Sequence, residues 1–244
     1  MLYEIAKPVV AGLVRVLWNP TISGTEHIPA QGPVILACNH QAYSDTVFLP
    51  AQVRRTVHFL GKSDIFAGTS PLNKVIAAVM RGLHIIPVDR TGGSAASSSI
   101  EAGLAVLREG EVLGIFPEGT RSPDGRLYRG KTGVARFALT TGAPIVPVAM
   151  NGAFAAQGSR RYLPHRRPRI HAVLGPPLDV REIVRSLPDA EEARVLRAVT
   201  DAVMDRIQAL SGQERVDEYA IDVKRRLRAR QGRPAGPGES STAV

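Results

Sequence analysis

One cysteine, Cys38, is all the thiol chemistry this chain contains. A lone thiol builds neither a disulfide framework nor a cysteine-based zinc site. Cys38 closes the apolar run Val34-Ile35-Leu36-Ala37-Cys38. Apolar surroundings raise a thiol's pKa, and neighbours on a strand alternate faces, so Cys38 reads as core rather than as a nucleophile served by the nearby His40. Also missing is any uninterrupted apolar stretch of about 18 residues, so no membrane-spanning helix is expected. Aromatic residues make up 5% of the chain and no recognised nucleic-acid module is present, which argues against nucleic acid as a partner. There is no internal repeat, and no small-residue cleavage pattern marks the N-terminal segment as a signal peptide. Of six histidines only His40 lies in a convincing constellation, and no metal site is expected.

Positive charge, by contrast, is in excess, with a net +9 and a sequence pI of about 10.3. Two clusters dominate: Arg160, Arg161, Arg166, Arg167 and Arg169, then Lys224, Arg225, Arg226, Arg228, Arg230 and Arg233. Each cation near an anionic surface is worth about 1 kcal/mol. The bland alternative is a pair of solvated faces. At the N-terminus Leu2, Ile5, Ala6, Val9, Val10, Leu13, Val16, Leu17 and Trp18 recur at near-helical spacing. Such a helix can lie in a membrane interface with Trp18 at headgroup depth, or pack on the protein body as an ordinary amphipathic helix.

Strands are predicted near 34 to 38, 57 to 60, 84 to 88, 112 to 116, 144 to 149 and 169 to 174. Helices are predicted near 2 to 17, 46 to 53, 72 to 80, 95 to 109, 133 to 141 and 189 to 210. The alternation implies an α/β fold, a largely parallel sheet with helices on both faces. Residues 1 to 20 form the amphipathic helix and 21 to 212 the main domain, a size that can bury a large core. A charged helix over 213 to 230 and a disordered tail over 231 to 244, rich in Gly, Pro and Ser, complete the expectation.

The run ending at Cys38 empties into Asn39-His40-Gln41-Ala42-Tyr43-Ser44-Asp45. The carboxyl ends of strands in open α/β sheets collect ligands. An imidazole beside a carboxylate is the usual device for taking a proton from a hydroxyl near neutral pH. Residues five apart on one helix point roughly 140° away from each other, so His40 and Asp45 can meet only if His40 sits in the turn before a helix starting near Tyr43 or Ser44. Otherwise Asp45 simply caps that helix, and the residues alone leave both readings standing.

A second run, Val112 to Phe116, feeds Pro117-Glu118-Gly119-Thr120-Arg121-Ser122. A flexible glycine, a hydroxyl and a guanidinium are a set suited to holding a phosphate. Just beyond, Gly125 to Thr132 matches the nucleotide-binding pattern of Gly, four residues, Gly-Lys-Thr. A P-loop NTPase is disfavoured because that loop should spring directly from a buried strand, and because no acidic residue follows on Pro144 to Asn151 to organise Mg²⁺.

With both clusters in view the chain resembles the glycerolipid acyltransferases of the 1-acylglycerol-3-phosphate acyltransferase type. Asn39, His40 and Asp45 match that family's first motif, and Phe116 to Ser122 match its Phe-Pro-Glu-Gly-Thr-Arg-Ser motif without departure. Gly82 to Arg90 resembles the second block and Pro144 to Val148 the fourth, in the family's order. The resemblance implies transfer of a fatty acyl group from acyl-CoA or acyl-ACP to the free hydroxyl of 1-acyl-glycerol-3-phosphate, giving phosphatidic acid for phospholipid biosynthesis. Glycerol-3-phosphate or another lysophospholipid is the alternative acceptor. His40 would be the general base and Asp45 would orient and stabilise its imidazole. Arg121, with Gly119 and Thr120, would bind the acceptor phosphate, and Glu118 would orient Arg121 or hold a glycerol hydroxyl. Arg90, Lys62 and Arg136 are secondary substrate-binding candidates. No cofactor is implied beyond the thioester cosubstrate. The implied partners are an anionic membrane surface and acyl carrier protein as an alternative donor, at the cytoplasmic face of the cell membrane as a peripheral or monotopic protein.

Overall fold

A computed structural model of the chain describes residues 2–63, 66, 68, 70–82, 84–88, 95–158 and 163–230, with backbone alone at 2–6, 62, 71, 72, 75, 76, 79, 95 and 96. In chain order the strands are β1 Thr21–Ser23, β2 Val34–Cys38, β3 Val57–Lys62, β4 Ile85–Val88, β5 Val112–Ile115, β6 Leu127–Tyr128, β7 Ile145–Asn151, β8 His171–Leu174 and β9 Arg215–Val216. The helices are α1 Leu2–Trp18, α2 Asp45–Gln52, α3 Pro71–Gly82, α4 Ala95–Arg108, α5 Gly133–Thr141, α6 Ala153–Gln157, α7 Val180–Arg185, α8 Glu192–Ser211 and α9 Ala220–Arg230.

Seven strands form one sheet in the order β1-β8-β7-β2-β5-β3-β4, parallel except where β7 meets β8. The predicted α/β architecture is the one observed. Its logic is plainest in β2, which lies between β5 and β7 and is buried at every position. Val34, Leu36 and Cys38 point into a core shared with Val14 of α1 and with Phe48 and Leu49 of α2. Ile35 and Ala37 point the other way, into a core with Leu107 of α4, Phe137 of α5 and Val203 of α8. A strand buried on both faces reads as an unbroken apolar run, as this one does. Burial pushes the Cys38 thiol well above its usual pKa, which fits a packing role.

Parallel pairing also sets the site. Ala37 is in register with Ile115 and with Pro147, so the chain leaves the carboxyl ends of β2, β5 and β7 side by side. The two sequence motifs meet because their strands are neighbours.

The segment predicted as one charged helix over 213 to 230 is different. Residues 215–216 are β9, pairing in parallel with β6, and the helix begins only at Ala220. Backbone bonds fix this segment to the body: Leu127 N–H donates to Glu214 O and Arg129 N–H to Glu218 O, at 2.9 and 3.0 Å. A two-residue ladder owes its existence to its distant partner and overrides the local helical preference. The tail beyond Arg230 lies outside the described residues.

Candidate active site

Asn39 and His40 are the first residues beyond β2, Asn39 held through its side chain and His40 through its backbone. Asn39 Oδ1 accepts from Met150 N–H at 2.7 Å, and its amide nitrogen donates to Gln213 Oε1 at 2.6 Å. His40 N–H donates to Glu118 Oε1 at 2.9 Å, and His40 O accepts from Ser122 N–H at 2.7 Å. The histidine backbone is thereby clamped by the turn that follows β5.

Helix α2 starts at Asp45, so His40 occupies the turn before a helix, the arrangement that lets residues five apart in sequence meet. Asp45 Oδ2 lies 3.1 Å from His40 Nδ1 and also accepts from the N–H groups of Gln41 and Ala42, at 2.7 and 2.8 Å. An oxygen already accepting two N–H bonds acts as an acceptor toward the imidazole too. Nδ1 therefore carries the proton and Nε2 keeps its lone pair. The Asp45 carboxyl is fully buried, while the His40 ring retains 15% exposure, an open edge on an otherwise enclosed base.

The ring is also held by stacking. His40 lies on Phe116 with centroids 3.8 Å apart and planes at 15°, and Phe116 lies on Phe59 at 5.0 Å and 14°. Gly114 makes room for this stack, since a Cβ there would sit 2.5 Å from the Phe59 ring. Burial lowers the His40 pKa; the Asp45 hydrogen bond and charge oppose this, and the charges of Arg121 and Lys224 add to the lowering. The product is a neutral imidazole near pH 7, able to accept a proton at Nε2.

In the turn after β5, Gly119 has φ of 73°, a left-handed conformation that favours glycine. Arg121 lays its guanidinium over the Tyr43 ring, 3.5 Å from the centroid. Burial lowers the Arg121 pKa, with Tyr43 and Asp45 opposing. Thr120 Oγ1 accepts from Lys224 Nζ at 2.9 Å. Chemically the site is a neutral base, oriented by a carboxylate, with cations at its rim.

A profile of the family described as "Acyltransferase" matches residues 19–151. A Bacillus subtilis (strain 168) protein named 1-acyl-sn-glycerol-3-phosphate acyltransferase is 31% identical over 214 residues, 87% of this chain and 98% of that one. The chain belongs to the acyltransferase family. A chloroplastic 1-acyl-sn-glycerol-3-phosphate acyltransferase of Arabidopsis thaliana is 28% identical over 169 residues, 68% of this chain but 46% of its own length. A solved structure, the 1-acyl-sn-glycerophosphate (LPA) acyltransferase PlsC from Thermotoga maritima, superposes with a TM-score of 0.60 at 21% identity, covering 85% of this chain and 79% of that one, and supports the fold.

Within this acyltransferase the remaining candidates sort themselves by position. Glu118 faces inward: Oε1 takes the His40 N–H and Oε2 takes the Tyr128 N–H at 3.0 Å, so its buried carboxyl ties three chain segments together. Burial pushes its pKa up to about 8, against those two donors. Arg136 is not brought to the site. The inward face of α5 is Val134, Ala135, Phe137 and Ala138, which turns Arg136 outward to pair with Glu192 at 3.4 Å. The Lys62 side chain and all of Arg90 lie outside the described residues.

Four contributors escaped the motif reading. Tyr43 gives Arg121 its seat, Ser122 accepts from Gly125 N–H and donates to Arg126 O, Gln213 bridges Asn39 and Gly125 O, and Lys224 reaches Thr120. Tyr43 and Ser122 stand inside the motifs; for Gln213 and Lys224 no local signal exists. The nucleotide-binding pattern fails on structure as well as context. The N–H groups of Leu127, Tyr128, Arg129 and Lys131 already donate to Glu214 O, Glu118 Oε2, Glu218 O and Pro117 O, leaving no amide cradle for a phosphate.

Proposed function

We propose that this acyltransferase moves a fatty acyl group from an acyl thioester, acyl-CoA or acyl-ACP, to the free hydroxyl of 1-acyl-glycerol-3-phosphate, yielding phosphatidic acid. The observation that carries this reading is the His40 imidazole, neutral, with Nδ1 on Asp45 and Nε2 unencumbered by that bond, beside the Arg121 turn. The names of the relatives agree with it.

In this reading the acceptor hydroxyl gives its proton to His40 Nε2 as its oxygen attacks the thioester carbonyl. Asp45 holds the resulting imidazolium, the tetrahedral intermediate collapses, and the thiol leaves with the proton that His40 returns. The acceptor supplies the nucleophile, so no side-chain serine or cysteine is required. Arg121 binds the phosphate, with Gly119 and Thr120 shaping the turn. No cofactor takes part beyond the thioester.

The same proposal sets the protein at the cytoplasmic face of the cell membrane as a peripheral or monotopic protein. Among the described residues no helix is long and apolar enough to cross a membrane. Helix α1 nevertheless exposes Val9, Leu13, Val16 and Leu17, by 57%, 55%, 79% and 36%.

Incubating the purified protein with labelled acyl-CoA or acyl-ACP and a panel of lysophospholipids tests the assignment. Phosphatidic acid should form from 1-acyl-glycerol-3-phosphate, and His40→Ala should lose at least about 10² to 10⁴ in rate while keeping its melting temperature. A folded His40→Ala protein with near-normal transfer would defeat the reading.

A further inference from the structure

The cations beside His40 come from distant parts of the sequence. Arg121 belongs to the turn after β5, within the stretch that matches the family profile, whereas Lys224 stands on α9, well beyond residue 151. Its ammonium nevertheless donates to Thr120, the residue immediately before Arg121, at 2.9 Å.

This reach is built. Gln213 ties the start of the segment to Asn39 and to Gly125 O, β9 pairs with β6, and Glu218 O accepts from Arg129 N–H. The Arg129 guanidinium lies 5.5 Å from the centre of the Tyr219 ring, and Ala220 is fully buried. With its first residue seated, α9 delivers position 224 one turn later to the rim of the site. The charge of Lys224 reaches both His40 and Glu118, lowering the proton affinity of each.

A partly exposed threonine hydroxyl needs no lysine to satisfy it, because water can do so. The placement does suit a dianion. In 1-acyl-glycerol-3-phosphate the reacting hydroxyl and the phosphate sit on adjacent carbons, so a base that takes the hydroxyl proton must adjoin the anion site. A guanidinium offers a planar fork and an ammonium a compact charge with rotatable donors, and the two complement each other on one phosphate.

We propose that Lys224 binds the acceptor phosphate and, with Arg121, forms a two-cation clamp across Thr120. The inference rests on the acceptor assigned above. A thioester donor such as acyl-CoA also carries phosphates, so donor and acceptor must be tested apart.

Steady-state kinetics of Lys224→Met, Lys224→Gln and Lys224→Arg, with the exposed Arg230→Met as control, read the role directly. The Met and Gln variants should raise KM for 1-acyl-glycerol-3-phosphate by about tenfold to a hundredfold, the range for a hydrogen bond to a charged group. Donor KM should be unchanged, Lys224→Arg should recover most of the affinity, and Arg230→Met should match wild type. With 1-monoacylglycerol, which lacks the phosphate, wild type and Lys224→Met should be alike. Calorimetric binding of glycerol-3-phosphate, expected to weaken in parallel, tests the clamp independently of turnover. An acceptor KM within twofold of wild type in Lys224→Met, a rise confined to the donor, or full recovery by the uncharged Gln each overturns the proposal. A wild-type protein that binds glycerol-3-phosphate through Lys224 yet acylates none of the panel overturns the functional assignment and leaves the clamp.

Discussion

Burial and Asp45 pull the proton affinity of His40 in opposite directions, and burial wins: the pKa falls below its ordinary 6.5. Between that lowered value and 6.5 the unfolded chain binds more proton at this residue than the folded one. Stability contributed here is therefore complete above 6.5 and declines as pH falls through the window. The neutral imidazole that the proposed mechanism requires persists above the same window. An acceptor phosphomonoester itself titrates near pH 6, so a rate profile alone mixes two ionisations. NMR titration of the His40 imidazole separates them, and its midpoint should lie below 6.5. A midpoint at or above 6.5 would mean that the Asp45 contact outweighs burial, and the base would then be partly protonated at neutral pH.

At the scale of elements, the strands and helices with strong patterns were legible and the short ones were not. The apolar run of β2 announces a strand because both its faces are buried, and the same holds for β5 and β7. Strands β6 and β9 have two residues each and exist through each other. Nothing in Leu127-Tyr128 or Arg215-Val216 alone reveals the pairing. The site divides in the same way. His40, Asp45 and the turn from Phe116 to Ser122 are compact in sequence, so their chemistry shows there. The tie that Glu118 makes is not legible in sequence because its partners are backbone N–H groups, which leave no residue signature. Arg136 was misjudged although the phase of α5, apolar at 134, 135, 137 and 138, turns it outward. Gln213 illustrates what sequence distance hides. Its amide accepts from Asn39 and donates to Gly125 O, both at 2.6 Å, joining the C-terminal segment to the chain that follows β2 and the chain that follows β5. Gln213→Ala leaves two polar groups without that partner, and a loss of about 1 to 3 kcal/mol is expected. Scanning calorimetry should show the lower Tm, and kcat should fall as the Asn39-His40 turn loosens. An unchanged Tm would mean that the segment docks without this bridge.

For the molecule as a whole, the decisive feature is where apolar exposure and positive charge coincide. Val9, Leu13 and Val16 repeat at helical spacing on the outer face of α1, while Val14 faces the core. At the end of that helix Trp18 donates its indole N–H to Pro164 O at 2.8 Å and packs against Phe48. Arg166, Arg167 and Arg169, from the first basic cluster, border an open cavity of about 410 Å³ with Leu17 and Trp18. Arg160 and Arg161 of that cluster lie outside the described residues. Under the membrane placement proposed above, an apolar row whose last turn borders arginines would meet the two components of an anionic lipid surface, an acyl boundary and charged headgroups. The components respond differently to salt. Burying an exposed Val or Leu is worth about 1.5 to 3 kcal/mol and is not screened, whereas the electrostatic part fades as the Debye length shrinks from about 10 Å at 0.1 M to about 3 Å at 1 M. Binding to vesicles containing anionic lipid should therefore fall with added salt to a residual level rather than to zero. The double variant Leu13→Glu, Val16→Glu should remove that residue of binding, because both positions are exposed and the change leaves the core intact. Acylation of a short-chain, water-soluble acceptor by the same variant should stay at the wild-type rate. Sedimentation with vesicles across a salt series gives the comparison; equal residual binding by variant and wild type would remove α1 from the membrane contact and leave the arginines alone to account for it.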